Sequence, residues 1–228
     1  MPSSVPSFAE LLGRCERSAV HLELRDSYAS TDRFEAWKRG ERINWADRDA
    51  WWHPFYQSIT DATARGITIR RARVVSEPVS DYIRWEHYVT QANVTAGEEV
   101  RWLPRRRATN IPLPGNDFWL FDGALLRVHH FSGDGVVVED EFTADPEAVK
   151  LCSTAFETVW ERATPHHLYK IGRKPVPCPR IPLPTSRRHA KASPAGCVRC
   201  GRMPGSAAGS WLSGAAGRSR SRPGSRTP

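Results

Sequence analysis

Apolar residues recur along this chain at helical spacing in five segments, and each segment begins with a recognisable start signal. The starts are the Ser7-x-x-Glu10 capping box, the Asp32-x-x-Glu35 box, Pro54, Ser80 and the Asp145-Pro146 pair. The last segment has the most continuous apolar face, from Val149 to Ala163. We therefore predict five helices, the best defined of them at the end of the patterned region.

Strand patterns fill the intervals between these helices. They are the half-buried alternation at Val20, Leu22 and Leu24, the β-branched run from Ile67 to Val75, the short Val100–Trp102 segment, and a nearly continuous stretch from Phe118 to Val138. Asp122-Gly123 lies between apolar runs of that stretch and predicts a hairpin, so the stretch is an antiparallel meander. The order predicts a single compact α/β (mixed α+β) domain, in which helices flank a mixed sheet.

Charge divides the 228 residues into two parts. The whole chain carries +8, but 12 of its 33 basic residues and none of its 25 acidic residues lie from Gly172 onward. The first 171 residues keep 21 basic and 25 acidic side chains, a net charge of −4. We therefore predict a folded domain over residues 1–171 and a disordered basic tail over residues 172–228.

Three interpretations of the tail stay open. Its Gly, Pro, Ala, Arg and Ser bias is what an out-of-frame stretch of GC-rich DNA would encode. It could also be a solvated arm without a specific role, or an arm that binds nucleic acid through Arg218, Arg220 and Arg222. Cys197 and Cys200 form a CxxC there, but the spacing to Cys178 and His189 is not that of a zinc site, so we expect no metal.

The motifs that specific reactions require do not occur in the sequence. We find no phosphate-binding glycine loop, no G-x-S-x-G elbow and no H-E-x-x-H. No cofactor is expected, and the pattern favours a non-enzymatic protein. No apolar run is long enough to span a membrane, and residues 1–8 do not resemble a secretion signal, so we expect a cytoplasmic location.

An arginine cluster is the strongest candidate for ligand binding. It consists of Arg71, Arg73, Arg101 and Arg105, with Glu77 and Asp81 as supporting acidic residues. Arg71 and Arg73 share a strand face with Ile67 and Ile69, and they stand at the carboxyl end of their strand, where open α/β sheets commonly bind ligands. The cluster is either an anion pocket for a phosphate, a nucleotide or an acidic peptide, or an internal ion-pair network. In the second case the arginines would bind Glu77, Asp81, Glu86, Glu98 and Glu99.

Aromatic residues form a second cluster, in which Trp45, Trp51, Trp52, Phe55 and Tyr56 follow one another closely. Burial against the sheet would make them core, whereas exposure would mark a partner surface.

Several segments resemble an uncharacterised family of filamentous, high-GC bacteria, a domain of unknown function often encoded beside helix-turn-helix regulators. The matching segments are Phe8–Leu12, Ser18–Glu23, Arg71–Pro78, Val100–Arg105, Gly115–Trp119 and Phe156–Ala163. The resemblance implies a regulatory or interaction module with a helix-turn-helix partner. The meander followed by Phe156-x-x-x-Trp160 also resembles non-catalytic half-domains of phospholipase-D-like fold, although the H-x-K signature of the enzymes is absent.

Overall fold

The computed structural model of this chain describes residues 6–172. Apart from Gly172, the expected tail, with its arginines and its CxxC, lies outside the described residues. Within them the chain forms a mixed sheet flanked by helices, so the predicted fold class is confirmed. No helix of this described part is both long and apolar enough to cross a membrane.

Six α-helices and one short 3-10 turn are present in residues 6–172. The α-helices are α1 (Phe8–Arg14), α2 (Asp32–Lys38), α3 (Arg48–Trp51), α4 (Pro54–Ala64), α5 (Asp81–Thr95) and α6 (Pro146–Arg162). Four of the five predicted starts are observed, but the second is wrong by one residue. Thr31 caps α2, because its side chain accepts a hydrogen bond from Phe34 N and leaves Asp32 in the first turn. The single-turn helix α3 was not predicted, since four residues are too short for a periodic pattern.

The sheet has seven strands in the described residues. They are β1 (Ser18–Glu23), β2 (Thr68–Val75), β3 (Glu99–Pro104), β4 (Asp117–Phe121), β5 (Leu125–Phe131), β6 (Val137–Thr143) and β7 (Thr164–Pro165). Their order across the sheet is β6-β5-β4-β1-β2-β3-β7. Strands β1, β2 and β3 are parallel, and β4, β5 and β6 form the predicted antiparallel meander.

The two faces of the sheet are covered differently. Helix α6 packs on one face, where Phe156 and Val159 join Leu22, Ala72 and Phe118 in a continuous apolar core. The other face carries two separate apolar clusters. One lies beneath α1 and α4 and the other beneath α5, and the polar side chains described next lie between them.

Strand β1 is central, which explains why it is not half-buried as predicted. With β2 on one side, β4 on the other and helices on both faces, even its polar residues His21 and Glu23 are only 7% exposed. Alternation along the strand gives the two faces correctly, but both of those faces are covered by helices.

Candidate functional site

Two rows of polar and aromatic side chains cross the sheet on the face that α4 and α5 cover. In the first row Arg71 on β2 is opposite His21 on β1, and His21 is opposite Trp119 on β4. In the second row Arg73 is opposite Glu23. Both rows lie toward the carboxyl ends of the parallel strands, where the strand faces change from apolar to charged residues.

The two arginines are held by three glutamates. Arg71 donates from Nε to Oε1 of Glu98 over 2.7 Å, and from Nη1 to Glu23. Arg73 also pairs with Glu23, and its Nη2 lies 2.7 Å from Oε2 of Glu86 on α5. We call these five residues the buried ion-pair network. Each guanidinium is thus neutralised on at least two sides.

Burial and charge compete within the network. Burial by itself would lower the pKa of Arg71, but the carboxylates of Glu98 and Glu23 outweigh it and raise that pKa. Burial raises the pKa of Glu86 above its ordinary value, although Arg73 opposes the rise. The arginines therefore stay charged, and they share the three carboxyl groups of the network.

The network borders a cavity of about 380 Å³ that is otherwise walled mainly by aromatic rings. Its aromatic lining consists of Tyr28, Phe55, Tyr56, Tyr82, Trp85, Trp119 and Phe131. The volume lies in the range of small-molecule sites, and the mixture of apolar walls with a few polar groups is typical of them.

Two histidines line the same cavity. His21 stacks on Trp119 with ring centroids 4.4 Å apart, and burial followed by the charge of Arg71 holds its pKa well below the ordinary value. Its buried Nδ1 has no hydrogen-bond partner. His129 places Nδ1 2.6 Å from Oδ1 of Asp140, which fixes the orientation of the ring. Burial lowers the pKa of His129, so both rings are neutral near pH 7.

A buried carboxyl group completes the lining. Asp117 begins β4, is 2% exposed, and accepts hydrogen bonds from Leu24 N and from the hydroxyl of Tyr28. Burial raises the pKa of Asp117 to about 6, and the negative charge of Glu23 adds to the rise. Asp117 is therefore an acid whose ionisation is held back by its surroundings.

The four arginines singled out from the sequence do not line one pocket. Arg71 and Arg73 line the cavity. Arg101 lies on the opposite face of the sheet, where Nη1 donates to the carbonyl oxygen of Trp160 over 3.1 Å. Arg105 lies beyond the end of β3 and donates to Ser76 Oγ over 3.0 Å and to the carbonyl oxygen of Leu24 over 2.6 Å.

The two supporting acidic residues also lie outside the cavity lining. Glu77 pairs with Arg106 at 3.1 Å and accepts a hydrogen bond from the hydroxyl of Tyr169. An oxygen of Asp81 lies 4.0 Å from Nε of Arg84 in the first turn of α5. The carboxylates that reach Arg71 and Arg73 are those of Glu23 on β1, Glu86 in the middle of α5 and Glu98 in the turn after α5. Glu86 and Glu98 belong to the ion-pair alternative given above, whereas Glu23 does not.

Sequence reasoning did not single out His21, Glu23, Asp117 or Trp119. The available signal was the placement of His21 and Glu23 between apolar residues of one strand. It could not be interpreted without the sheet order, because the same alternation also describes a strand with one face in water.

The aromatic cluster is divided between core and cavity. Trp51 is 6% exposed, whereas Trp52, Phe55 and Tyr56 pack half-buried against the apolar cluster beneath α1 and α4. Phe55 and Tyr56 also reach the cavity, so this cluster supplies one wall of it.

Thiol and metal chemistry would depend on other side chains of residues 6–172. Burial raises the pKa of both thiols in this range, Cys15 and Cys152, to about 11, so neither is an activated nucleophile. No group of three or more His, Cys, Asp and Glu side chains in this range is arranged to hold a metal ion.

Comparison with known proteins places the chain in a family. It belongs to the family described as Domain of unknown function (DUF6879), which matches residues 6–171. No curated protein matches the sequence.

Two solved structures show weak similarity in fold. One is Nuc, a phospholipase D family member from Salmonella typhimurium, with a TM-score of 0.40 and 10% identity over 69% of this chain and 86% of that one. The other is TrmBL2, an archaeal chromatin protein, with a TM-score of 0.36 and 14% identity over 68% of this chain and 47% of that one.

Proposed function

We propose that this member of the uncharacterised DUF6879 family is a non-catalytic ligand-binding module that takes a small molecule into the cavity between its two apolar clusters. The observation that carries the proposal is the buried ion-pair network at the cavity wall. A regulatory role follows if occupancy of the cavity is passed to a partner protein.

Such a network is not what stability alone would select. Taking charges out of water costs several kcal/mol per ion, and apolar side chains of similar volume are often equally stable or more so. Here apolar clusters lie on both sides of the network, so a continuous apolar layer would be the simple solution. Charged groups kept at the wall of an aromatic cavity support recognition of a ligand.

The rim of the cavity offers a means of response. Phe131 and Val137 line the cavity from the β5–β6 hairpin, and Tyr28 lines it from the segment after β1. The two rim segments are joined by a hydrogen bond of 3.0 Å from Ala29 N to the carbonyl oxygen of Gly135. A ligand that touches either segment would therefore act on both.

The partner that the family resemblance implies is a helix-turn-helix regulator. We expect the full chain to co-purify with such a regulator encoded beside it, and to do so differently with ligand present. Failure of every neighbouring regulator to bind the chain would refute this part of the proposal.

The cavity is tested with a matched pair of hairpin variants. Val137 lines the cavity, whereas Val138 is its neighbour on the strand, is 64% exposed and does not line it. Val137→Trp therefore adds bulk at the mouth of the cavity, whereas Val138→Trp adds the same bulk at an exposed position outside the lining. Both variants are first compared with the natural chain by circular dichroism.

Thermal stability is then measured with a panel of small amines, alcohols, carboxylates, inorganic phosphate and AMP. We expect at least one probe to raise the Tm of the natural chain and of Val138→Trp, but not of Val137→Trp. If no probe raises the Tm, or if both variants respond alike, the cavity is not a binding site. A response only to phosphate or AMP would instead support the anion sensor that the arginine cluster suggested.

A further inference from the structure

From the charges and the lining of the cavity we infer that its ligand is an organic cation, a primary or secondary ammonium group on a small aromatic or apolar body. This inference rests on the proposed function and specifies its ligand class. It reverses the expectation that the arginines attract an anion.

The first argument is the balance of charge. Two arginines of the network meet three glutamates, and Asp117 adds a fourth carboxyl group on the same cavity. Four carboxyl groups therefore stand beside only two buried guanidinium groups, and burial raises the pKa of two of these carboxyls, Glu86 and Asp117. Arg33 also lines the cavity, but it is exposed, so solvent and salt screen its charge. A cation in the cavity would favour the ionised forms of Glu86 and Asp117.

The second argument is that the arginines are already occupied. Arg71 uses three nitrogen atoms on Glu23 and Glu98, at distances up to 3.4 Å. An anion would have to compete with these carboxylates for the same guanidinium nitrogen atoms. An ammonium group would instead reduce the repulsion between Glu23 and Asp117, and this repulsion is one reason why Asp117 resists ionisation.

The third argument is the unpartnered imidazole. His21 is 7% exposed, lines the cavity, and has a buried Nδ1 without a hydrogen-bond partner, although Oε1 of Glu23 lies 3.4 Å away. A neutral imidazole has one nitrogen that accepts a hydrogen bond. The neighbouring carboxylate of Glu23 favours the tautomer with its proton on Nδ1, which leaves Nε2 as the accepting nitrogen. An N–H of an ammonium ligand can donate to Nε2, whereas a carboxylate or phosphate dianion has no hydrogen to donate.

The walls suit the same ligand. Aromatic faces attract cations, and several instances already occur here: the guanidinium carbon of Arg71 lies 5.5 Å from the ring centroid of Trp119 and 5.9 Å from that of Phe55. Tyr56, Tyr82 and Trp85 supply further rings around the empty volume. The apolar or aromatic body of the ligand would pack among these rings, with its ammonium group toward His21, Glu23 and Asp117.

The experiment uses three probes of similar shape and different charge. They are 2-phenylethylamine, 2-phenylethanol and 3-phenylpropionate, and their affinities for the full chain are measured by isothermal titration calorimetry at pH 7. We expect the amine to bind at least about tenfold more tightly than the alcohol, which corresponds to about 1.4 kcal/mol, and the carboxylate to bind most weakly. Each titration is repeated with Val137→Trp and Val138→Trp.

A charge variant distinguishes recognition of the ammonium charge from binding in the cavity as such. Asp117→Asn keeps the size of the side chain and removes its charge. It should therefore lower the affinity for the amine by about tenfold and leave the affinity for the alcohol unchanged. Retained binding of the alcohol shows that this variant is folded. The control is Asp134→Asn, which changes an exposed aspartate outside the lining and should alter neither affinity.

The outcomes distinguish the proposal that the cavity binds a ligand from the inference that this ligand is a cation. If the alcohol or the carboxylate binds in a Val137-dependent manner and the amine binds no more tightly, the cavity is a binding site and the cation inference is wrong. If the amine does not bind at all, the cation inference is likewise overturned. If neither these probes nor the panel bind, both proposals fail.

Discussion

The side chain of Arg71 on β2 and that of Glu98, in the turn after α5, form a fully buried ion pair, with Nε 2.7 Å from Oε1. Asn93 donates to the other oxygen of Glu98 over 2.6 Å. The pair therefore links the turn that enters β3 to the neighbouring strand β2, and it fixes the guanidinium of Arg71 at the cavity wall.

Removal of one partner should be costly. Glu98→Ala leaves Arg71 charged and only partly paired in the interior, so we expect the free energy of unfolding to fall by about 3–5 kcal/mol. Urea denaturation followed by circular dichroism measures the loss. The control is Glu157→Ala, which removes a pair to Arg70 in which the glutamate is 49% exposed, and it should cost no more than about 1 kcal/mol. Equal losses in the two variants would contradict the assigned role of the buried pair.

Asp122 stabilises the start of β1 from the end of the neighbouring strand β4. Its carboxylate accepts hydrogen bonds from the backbone N–H groups of Glu16, Arg17 and Ser18, at 2.7–2.9 Å. Asparagine tolerates the backbone φ of +52° at this position, so Asp122→Asn keeps the backbone and removes the charge together with one of the two accepting oxygens. We expect a loss of about 1.5–3 kcal/mol, measured by urea denaturation at pH 7. Asp134→Asn, in an exposed turn, serves as the control and should change stability by less than about 0.5 kcal/mol.

The contribution of Asp122 should depend on pH in one direction. Burial by itself would raise the pKa of this carboxyl, but the three backbone donors hold it at about 2, below the value of about 4 in an unfolded chain. Its stabilising effect is therefore complete above about pH 4 and is lost as the pH falls through about 2. The stability difference between the natural chain and Asp122→Asn should shrink over that interval, and a difference that stays constant would refute the assignment.

The contribution of Asp117 to stability should depend on pH with the opposite sign. Burial raises its pKa to about 6 in the folded chain, so the folded state binds the proton more tightly than the unfolded state does. Its contribution favours folding below about pH 4 and is lost as the pH rises through about 6. We expect the stability of the natural chain relative to Asp117→Asn to decline between pH 4 and pH 7. Tyr28→Phe removes a hydrogen bond that lowers this pKa, so an NMR titration of the Asp117 carboxyl should move upward in that variant.

Gly135 fixes the contact between the two rim segments. It has a φ of +81°, and a Cβ atom there would lie 3.0 Å from the Cα of Tyr28. Gly135→Ala should destabilise the chain by about 1–3 kcal/mol and loosen the rim, because the obstacle is backbone and cannot rotate away. Gly133→Ala in the same turn has open space and no positive φ, so it should have little effect. Amide hydrogen exchange at Ala29 measures the rim directly, and unchanged exchange in Gly135→Ala would contradict this role.

The helix ends and the meander were predictable because their signals are local. Asp145 and Pro146 at the start of α6, and Asp122-Gly123 between β4 and β5, specify backbone conformations through contacts within a few residues. The exception at Thr31 is also local. Thr31 and Asp32 are both suitable capping residues, and the side chain that accepts the hydrogen bond from the backbone N–H of Phe34 is that of Thr31.

The amino-acid pattern by itself determined which residues of each strand share a face, and so it correctly grouped Ile69, Arg71 and Arg73. It could not determine which strands are neighbours. That choice places Glu23 beside Arg73 and sends Arg101 to the opposite face, beneath α6. The physical reason is that the period of a strand is a property of its own backbone, whereas strand order and register depend on how all the apolar faces are buried together. The cavity and the grouping of carboxyl and guanidinium groups at its wall exist only at that second level.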